Sequence, residues 1–333
     1  MPVRLKPIDR QVIVVTGASS GIGLATARMA AARGAKVLLV SRDGDALARI
    51  VREIDAAGGS ADFATGDVGD LRDVQRAAAK AVKRFGRIDS WINVAGVAIY
   101  AKLVDTPMDE HERLMRTNYW GVVNGCLTAI EHLQRAGGAL ITVGSIVSDI
   151  PSPGMGAYAA SKHAIKGYVG ALRIEVEADR LPIAITLVKP SGIDTPIAQH
   201  AANHLDGEAK LPPPVYAPEL VAEAILRAAQ RPTRDVTVGG GGRMQVLVAQ
   251  HVPALLDRLG GTLLPMLRDP RRAPTPQDNL DAPNDNGRVH SGIQPGRRVS
   301  AYQAAQRHPL ATASVVGAGL GLAVLARWGA RRG

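Results

Sequence analysis

The sequence has a single cysteine, Cys126, and only two phenylalanines and three tryptophans among its 333 residues. One thiol excludes an intrachain disulfide and any cysteine-based zinc site, which fits a reducing, cytoplasmic setting. Aromatic residues make up 3% of the chain and apolar residues 46%. A core of that kind is packed by Ala, Val, Leu and Ile, as in parallel sheets covered by helices. The N-terminal stretch "MPVRLKPIDRQVIVVTG" contains no apolar run long enough for a secretion signal. A basic groove with interleaved aromatics is also missing, although the formal net charge is +10. Ten arginines against four aspartates lie from Arg268 onward, so the C-terminal stretch carries most of the excess. The chain before it is close to balanced, and nucleic acid is not among the partners it implies.

What is present, up to about residue 265, is alternation. Short β-branched runs at 12–15, 37–40, 88–93, 139–143 and 183–188, with a last one at 235–238, read as strands. Stretches of helical period at 22–33, 46–57, 71–85, 157–180 and 218–231 lie between them. Such alternation means βαβ units, so the expected fold class is α/β, a doubly wound parallel sheet of Rossmann type with helices on both faces. No internal repeat is visible. The domain is expected over residues 1–265. Residues 266–309, rich in Pro, Asp, Asn, Gly and Arg, read as a disordered linker. After it comes an apolar helix at 310–327, whose first seventeen residues carry no charge. As a helix these would span about 25 Å, just short of a hydrocarbon core of about 30 Å. Gly317 and Gly321 permit close helix contact, and Arg327, Trp328, Arg331 and Arg332 resemble an interfacial anchor. The Ala and Gly content makes the drive to insert modest. Two readings follow: a membrane anchor, which is preferred, and a helix docked on the protein itself or on a second subunit.

The segment "TGASSGIG" follows the first strand and opens the first helical stretch. A glycine turn there exposes backbone N–H groups and the positive helix end to an anion, usually a dinucleotide pyrophosphate. Glycine spacing alone does not distinguish that from a tight turn with no ligand. The spacing is Gly17, Gly21 and Gly23, a G-x-x-x-G-x-G pattern that differs from G-x-G-x-x-G. Farther on, "YAASK" supplies Tyr158 and Lys162, with Ser145 of "VGSIVS" thirteen residues before the tyrosine. "GDV" contains Asp67 and Val68, "NVAG" contains Asn93, Ala95 and Gly96, "TNYWG" contains Asn118, and "KPSGIDT" contains Pro190, Ile193 and Thr195.

In this order and spacing the motifs resemble those of the short-chain dehydrogenases/reductases, in their non-extended branch, over roughly residues 11–240. The resemblance implies a cofactor site at Gly17, Ser19, Ser20, Gly21, Ile22 and Gly23, with Asp67 holding the adenine ring and the 190–195 segment closing over the dinucleotide. It departs from the family at Val94, where a second Asn is usual, and at Ser191, where a glycine is expected and the local turn is therefore open. It also implies dimers or tetramers.

The chemistry explains the residue types. Interconverting an alcohol and a carbonyl moves a proton and a hydride. A phenol has an unperturbed pKa of about 10, and a lysine ammonium nearby favours the phenolate. Tyr158 and Lys162 stand four apart, on one face of a helix. Ser145 is placed to hold the substrate oxygen, and Asn118, by resemblance, anchors a proton relay. Taken singly, a Tyr-x-x-x-Lys is ordinarily one face of an amphipathic helix and a serine after a strand is ordinarily a cap. Ser41 stands where NAD-preferring members carry an acidic residue, and Arg42 follows, suited to a 2′-phosphate, with Asp43 as a competing acidic group. The expected cofactor is NADP(H) in preference to NAD(H), and no metal is implied.

Loops at 97–108, 146–156 and 192–216 are expected to face the substrate, with Tyr100, Ile150, Met155, Ile197, His200, His204 and Tyr216. Their apolar majority favours a small apolar alcohol or carbonyl. His163 is expected to face away from the site, and "VGGGG" at 238–242 reads as a flexible turn. A non-catalytic dinucleotide-binding or redox-sensing module is the alternative, disfavoured by the complete tetrad. A nucleotide-sugar epimerase of the extended branch has a different glycine spacing.

Overall fold

In the computed structural model, residues 3–275, 277–284, 287–300 and 302 are described. Seven parallel strands make the central sheet: β1 (Val12–Thr16), β2 (Lys36–Ser41), β3 (Ser60–Thr65), β4 (Ser90–Asn93), β5 (Gly138–Val143), β6 (Ile183–Pro190) and β7 (Asp235–Val238). Their order is β3-β2-β1-β4-β5-β6-β7, so the topology reverses between β1 and β4. In open α/β sheets, ligands bind at that reversal, outside the carboxyl ends of the strands.

Strand period sorts the side chains into two cores. Ile13, Val15, Val37 and Leu39 point into one, under α1 (Gly21–Ala32), α2 (Gly44–Ala56) and the helix Pro218–Ala228. Val12, Val14, Leu38 and Val40 point into the other, under the helices Leu71–Phe85, Gly121–Ala136 and Gly156–Ala178. Both faces are thus apolar, which is why the strands read as continuous runs. β3 was not visible as a strand in the sequence. Among the described residues it pairs only with β2, and its SADFAT side chains are mostly half-buried, so no continuous β-branched run is required.

Two expectations are corrected. The glycines after β7 do not make a flexible turn: a helix covers Gly240–His251, entered from Gly239 at φ +102°. A Cβ on Gly242 would lie 2.8 Å from Ile146 and from the Ser191 hydroxyl, so tertiary packing selects glycine in that first turn. The second concerns residues 266–309, read as a disordered linker. Over its described part this stretch lies on the domain. Arg268–Asp269 pairs antiparallel with Glu208–Ala209. Arg297 exchanges backbone hydrogen bonds with Val215 and Ala217 at 2.9 and 3.0 Å. Leu280 is 2% exposed, and burying a leucine contributes roughly 1.5–3 kcal/mol. The composition hid these anchors because each is only one or two residues long. The apolar stretch 310–327 lies outside the described residues. Among those described, no helix is long and apolar enough to cross a membrane.

Candidate active site

The glycine turn is fixed by contact. Gly17 sits at φ +65°, and a Cβ there would lie 2.7 Å from Ala95 Cα. A Cβ on Gly23 would lie 2.1 Å from the Gly17 carbonyl oxygen, so only glycine lets α1 start this close to β1. Thr16 ties the turn to β4: its hydroxyl accepts from the amides of Val94 at 3.1 Å and Ala95 at 3.3 Å. Gly21, at φ +52°, abuts Thr195, whose Cβ would be 3.1 Å from an added methyl.

These residues floor a cleft of about 920 Å³, counted with its open mouth. Its lining includes Gly17, Ser19, Ser20, Gly21, Ile22 and Gly23 from the turn, and Ser41 and Arg42 from the end of β2. Asp67, Val68, Ala95, Gly96 and Thr195 of the predicted set lie along its walls. Seven predicted positions are not in the lining: the tetrad Asn118, Ser145, Tyr158 and Lys162, and Asn93, Pro190 and Ile193. Asn93 is turned inward, accepting from Trp91 Nε1 at 2.8 Å and donating to Thr142 Oγ1 at 3.4 Å. Pro190 ends β6 against Val238, and Ile193 is buried in the first core. Ser191 needs no glycine: its backbone is not left-handed, and its amide donates to the Val238 carbonyl at 2.8 Å.

Asp67 accepts from the Gly69 amide at 2.8 Å and from Arg113 Nη2 at 2.7 Å. Burial alone would raise its carboxyl, but these partners hold it below the usual value. Arg42 donates to backbone carbonyls of Asn279, Leu280 and Asp281, residues of the C-terminal extension. Arg113, Asn279, Pro283 and Asn284 were missed by the sequence reading. Nothing local marks them, since their partners lie tens to hundreds of residues away.

Gly96, which lines the cleft, backs onto two residues of the tetrad: an added Cβ would meet Asn118 Oδ1 at 3.3 Å and Lys162 Nζ at 3.8 Å. Ser145 follows β5 and caps a short 3₁₀ turn, its hydroxyl accepting from the Val147 amide at 3.2 Å. The same hydroxyl is hydrogen-bonded to the Tyr158 phenol. It is therefore both a cap and a member of the site. Lys162 Nζ lies 5.5 Å from the Tyr158 ring centre and donates to the Val143 carbonyl at 3.1 Å. Asn118 sits in a π-turn, Arg116–Trp120, and pairs with Val97 both ways: Oδ1 accepts from its amide at 2.8 Å and Nδ2 donates to its carbonyl at 3.0 Å. Such bulges recur at functional sites.

Burial dominates the protonation of the pair. It pushes the Tyr158 phenol up to about 12, against the pull of the Ser145 hydrogen bond, and the Lys162 ammonium down to about 8. Dry surroundings disfavour both charged forms, and the hydrogen bond from Ser145, not the charge of Lys162, is what pulls the phenol down.

The substrate-side expectations divide. Tyr100 and Met155 are buried beside Tyr158 with Ile197, under Leu264 and Leu267. Ile150 packs with Ile146 and Val246. His200 lines the cleft, whereas His204 is engaged with Glu110 at 2.8 Å. Tyr216 is structural: its hydroxyl accepts from the Gly241 amide at 3.3 Å. His163 lines a separate apolar cavity with Leu103, Pro153 and Leu264.

The family description "short chain dehydrogenase" matches residues 11–206. The chain is 38% identical over 320 residues to the uncharacterized oxidoreductase YxnA of Bacillus subtilis, covering 94% of this chain and 90% of that one. It is 32% identical over 270 residues to dehydrogenase/reductase SDR family member 7B of Danio rerio, covering 77% and 87%. A solved alcohol dehydrogenase from the archaeon Thermococcus sibiricus, complexed with 5-hydroxy-NADP, superposes with a TM-score of 0.60. That similarity is at 26% identity and covers 68% of this chain and 94% of that one. Motif order, sheet topology and these matches agree: the chain belongs to the short-chain dehydrogenase/reductase family and is an oxidoreductase.

Proposed function

We propose that the protein interconverts an alcohol and a carbonyl at the expense of NADP(H), on a small apolar substrate. The observation that carries this reading is the Tyr158–Ser145 hydroxyl pair, with Lys162 beside it and close behind Gly96, a residue lining the glycine-floored cleft. The residues fit a nicotinamide dinucleotide, since added methyls at Gly17 and Gly23 would collide with backbone and the cleft extends to Arg42. When bound, that cofactor supplies or accepts the hydride. Tyr158 carries the proton to or from the substrate oxygen, and Ser145 orients that oxygen by hydrogen bond. Lys162 holds positive charge below the phenol, and Asn118 braces Val97 and Gly96 beside it. Arg42 at the end of β2, with Ser41 in place of a carboxylate, supports NADP(H) over NAD(H). The archaeal neighbour's complex with an NADP derivative supports the same choice.

Tyr158→Phe tests the reading. Turnover with an apolar carbonyl panel and NADPH should fall by at least about 10²–10⁴-fold, the usual worth of acid/base catalysis. NADPH affinity, read by fluorescence titration, should stay within a few-fold. A variant keeping more than a tenth of wild-type kcat would remove Tyr158 from the chemistry.

A further inference from the structure

Three backbone carbonyls of the C-terminal extension surround the Arg42 guanidinium. Nη1 donates to Leu280 at 2.8 Å and Asp281 at 3.0 Å, and Nη2 donates to Asn279. Arg113 grips the same segment: its Nε donates to the Leu280 carbonyl at 2.8 Å while its Nη2 reaches Asp67. Carbonyls orient a guanidinium without neutralising it. Among the described residues, the carboxylates of Asp281 and Asp67 form their ion pairs with Arg113, not with Arg42. Arg42 is therefore a positioned cation lining the cleft, with Asp67, Asp281 and Asp278 near enough to act on its charge but not ion-paired to it.

The segment is held in place at both ends. Leu280 is buried among Val97, Ile99, Leu114 and Ala157, and the Asn279 amide donates to the His200 carbonyl at 2.8 Å. After the next few residues, the Gly287 amide donates to the Ser19 carbonyl at 2.8 Å, and the Gly21 amide donates to the Arg288 carbonyl at 2.9 Å. The buried Asp194, next to Thr195, then accepts from the Ser291 amide at 3.0 Å and hydroxyl at 2.5 Å. Between these anchors, Asn279, Pro283 and Asn284 line the same cleft as Gly17 and Ser41.

We propose that residues 277–284 and 287–291 form the outer wall of the cofactor site, and that the carbonyls of Asn279, Leu280 and Asp281 fix Arg42 as the reader of a phosphate on the adenosine ribose. The extension is then a specificity-determining part of the enzyme. This rests on the reading of the cleft as an NADP(H) site. The physical gain is preorganisation: a guanidinium already aimed loses less freedom when the phosphate arrives.

The test titrates full-length protein with NADPH and NADH, followed by fluorescence, with thermal denaturation to verify folding. Arg42→Ala is the reference and should weaken NADPH about ten- to a hundred-fold, as for one charge-assisted contact, and NADH by less than about three-fold. Leu280→Ala removes the buried anchor, and Ser291→Ala loosens the second arm without touching an apolar core. Each should weaken NADPH by about five-fold or more and NADH by less than about two-fold. Adding Arg42→Ala to either should give no greater loss than Arg42→Ala alone, because the segment acts through that side chain. Should Leu280→Ala fail to fold, Ser291→Ala decides. If Arg42→Ala discriminates between the cofactors but the extension variants weaken both alike, weaken neither or tighten NADPH, the extension does not set specificity through Arg42 and the proposal is overturned, while the NADP(H) reading stands. If Arg42→Ala affects both cofactors alike, that reading falls and the proposal with it.

Discussion

A methyl group at Gly23 would lie 2.1 Å from the Gly17 carbonyl oxygen and 2.7 Å from its carbon. Backbone cannot rotate away as a flexible side chain does, so Gly23→Ala must push the first turn of α1 off β1. Overpacking of this kind is destabilising by roughly 1–3 kcal/mol. The Tm should fall by several degrees, at about 2–4 °C per kcal/mol for a domain of this size, and NADPH affinity should fall with it. An unchanged Tm would mean the turn is looser than these contacts imply. Gly17 and Gly23 were legible in the sequence because their constraint is local and of a single chemical kind. Tyr158, Lys162 and Ser145 were legible by spacing, and the fold brings them together. Their protonation was not, because the burial of the phenol comes from Tyr100, Met155, Leu264 and Leu267, which the chain packs around Tyr158 from three separate segments. Asn93 was misplaced for a related reason: a side chain's direction at a strand end depends on the neighbours that fill the space, here Trp91 and Thr142.

Among the elements, strands buried on both faces could be read directly, and the edge strand β3 could not, since one neighbour and half-exposed faces ask little of its sequence. The C-terminal arm shows the opposite failure, an ordered segment with the composition of a linker. Its attachment includes His290, whose Nδ1 meets Asp194 at 2.9 Å and whose Nε2 meets Glu219 at 2.9 Å, with Arg298 lining the same surface recess. Partial burial works against the imidazolium, but the hydrogen bond to Asp194 and the charge of Glu219 outweigh it and raise His290 above its ordinary 6.5. Asp194 is shifted the other way. Burial opposes its charge, yet the hydrogen bonds from Ser291 and His290 hold it below 3.8. The raised histidine contributes stability that is fully present below pH 6.5 and lost as pH rises through its folded value. The depressed aspartate contributes above pH 3.8 and loses its effect as pH falls through its own folded value. The arm should therefore be held best between these limits and loosen above the histidine's titration. Hydrogen exchange at residues 287–298, corrected for intrinsic rates, should quicken relative to the central strands as pH rises above 6.5 through the histidine's folded value. His290→Gln should remove that pH dependence; if the quickening persists in the variant, another group controls the arm.

For the whole molecule, the alternation of strands and helices and the two apolar sheet faces follow from composition and period. The boundary of the domain did not follow. The match to the Bacillus subtilis relative covers 94% of this chain, which takes in most of the residues after 265 as well. That changes how the apolar segment at 310–327, outside the described residues, has to be tested. Ending the chain near Asp269 would also delete Leu280, Ser291 and the carbonyls around Arg42, so lost activity or altered fractionation would have two causes. Ending it at His308 spares every described contact of the arm and removes only the apolar run with Arg327, Trp328, Arg331 and Arg332. A segment of this length, at about 25 Å as a helix, sits at the lower limit for crossing, and its arginines favour a cytoplasmic end. On the anchor reading, full-length protein pellets with membranes and needs detergent for release, while the chain ending at His308 stays in the supernatant. Both forms should bind NADPH with the same affinity and reduce the same carbonyl substrates. Full-length protein that remains in the supernatant after lysis would rule out the anchor, and a change in oligomeric state between the two forms would assign the segment to a contact between subunits.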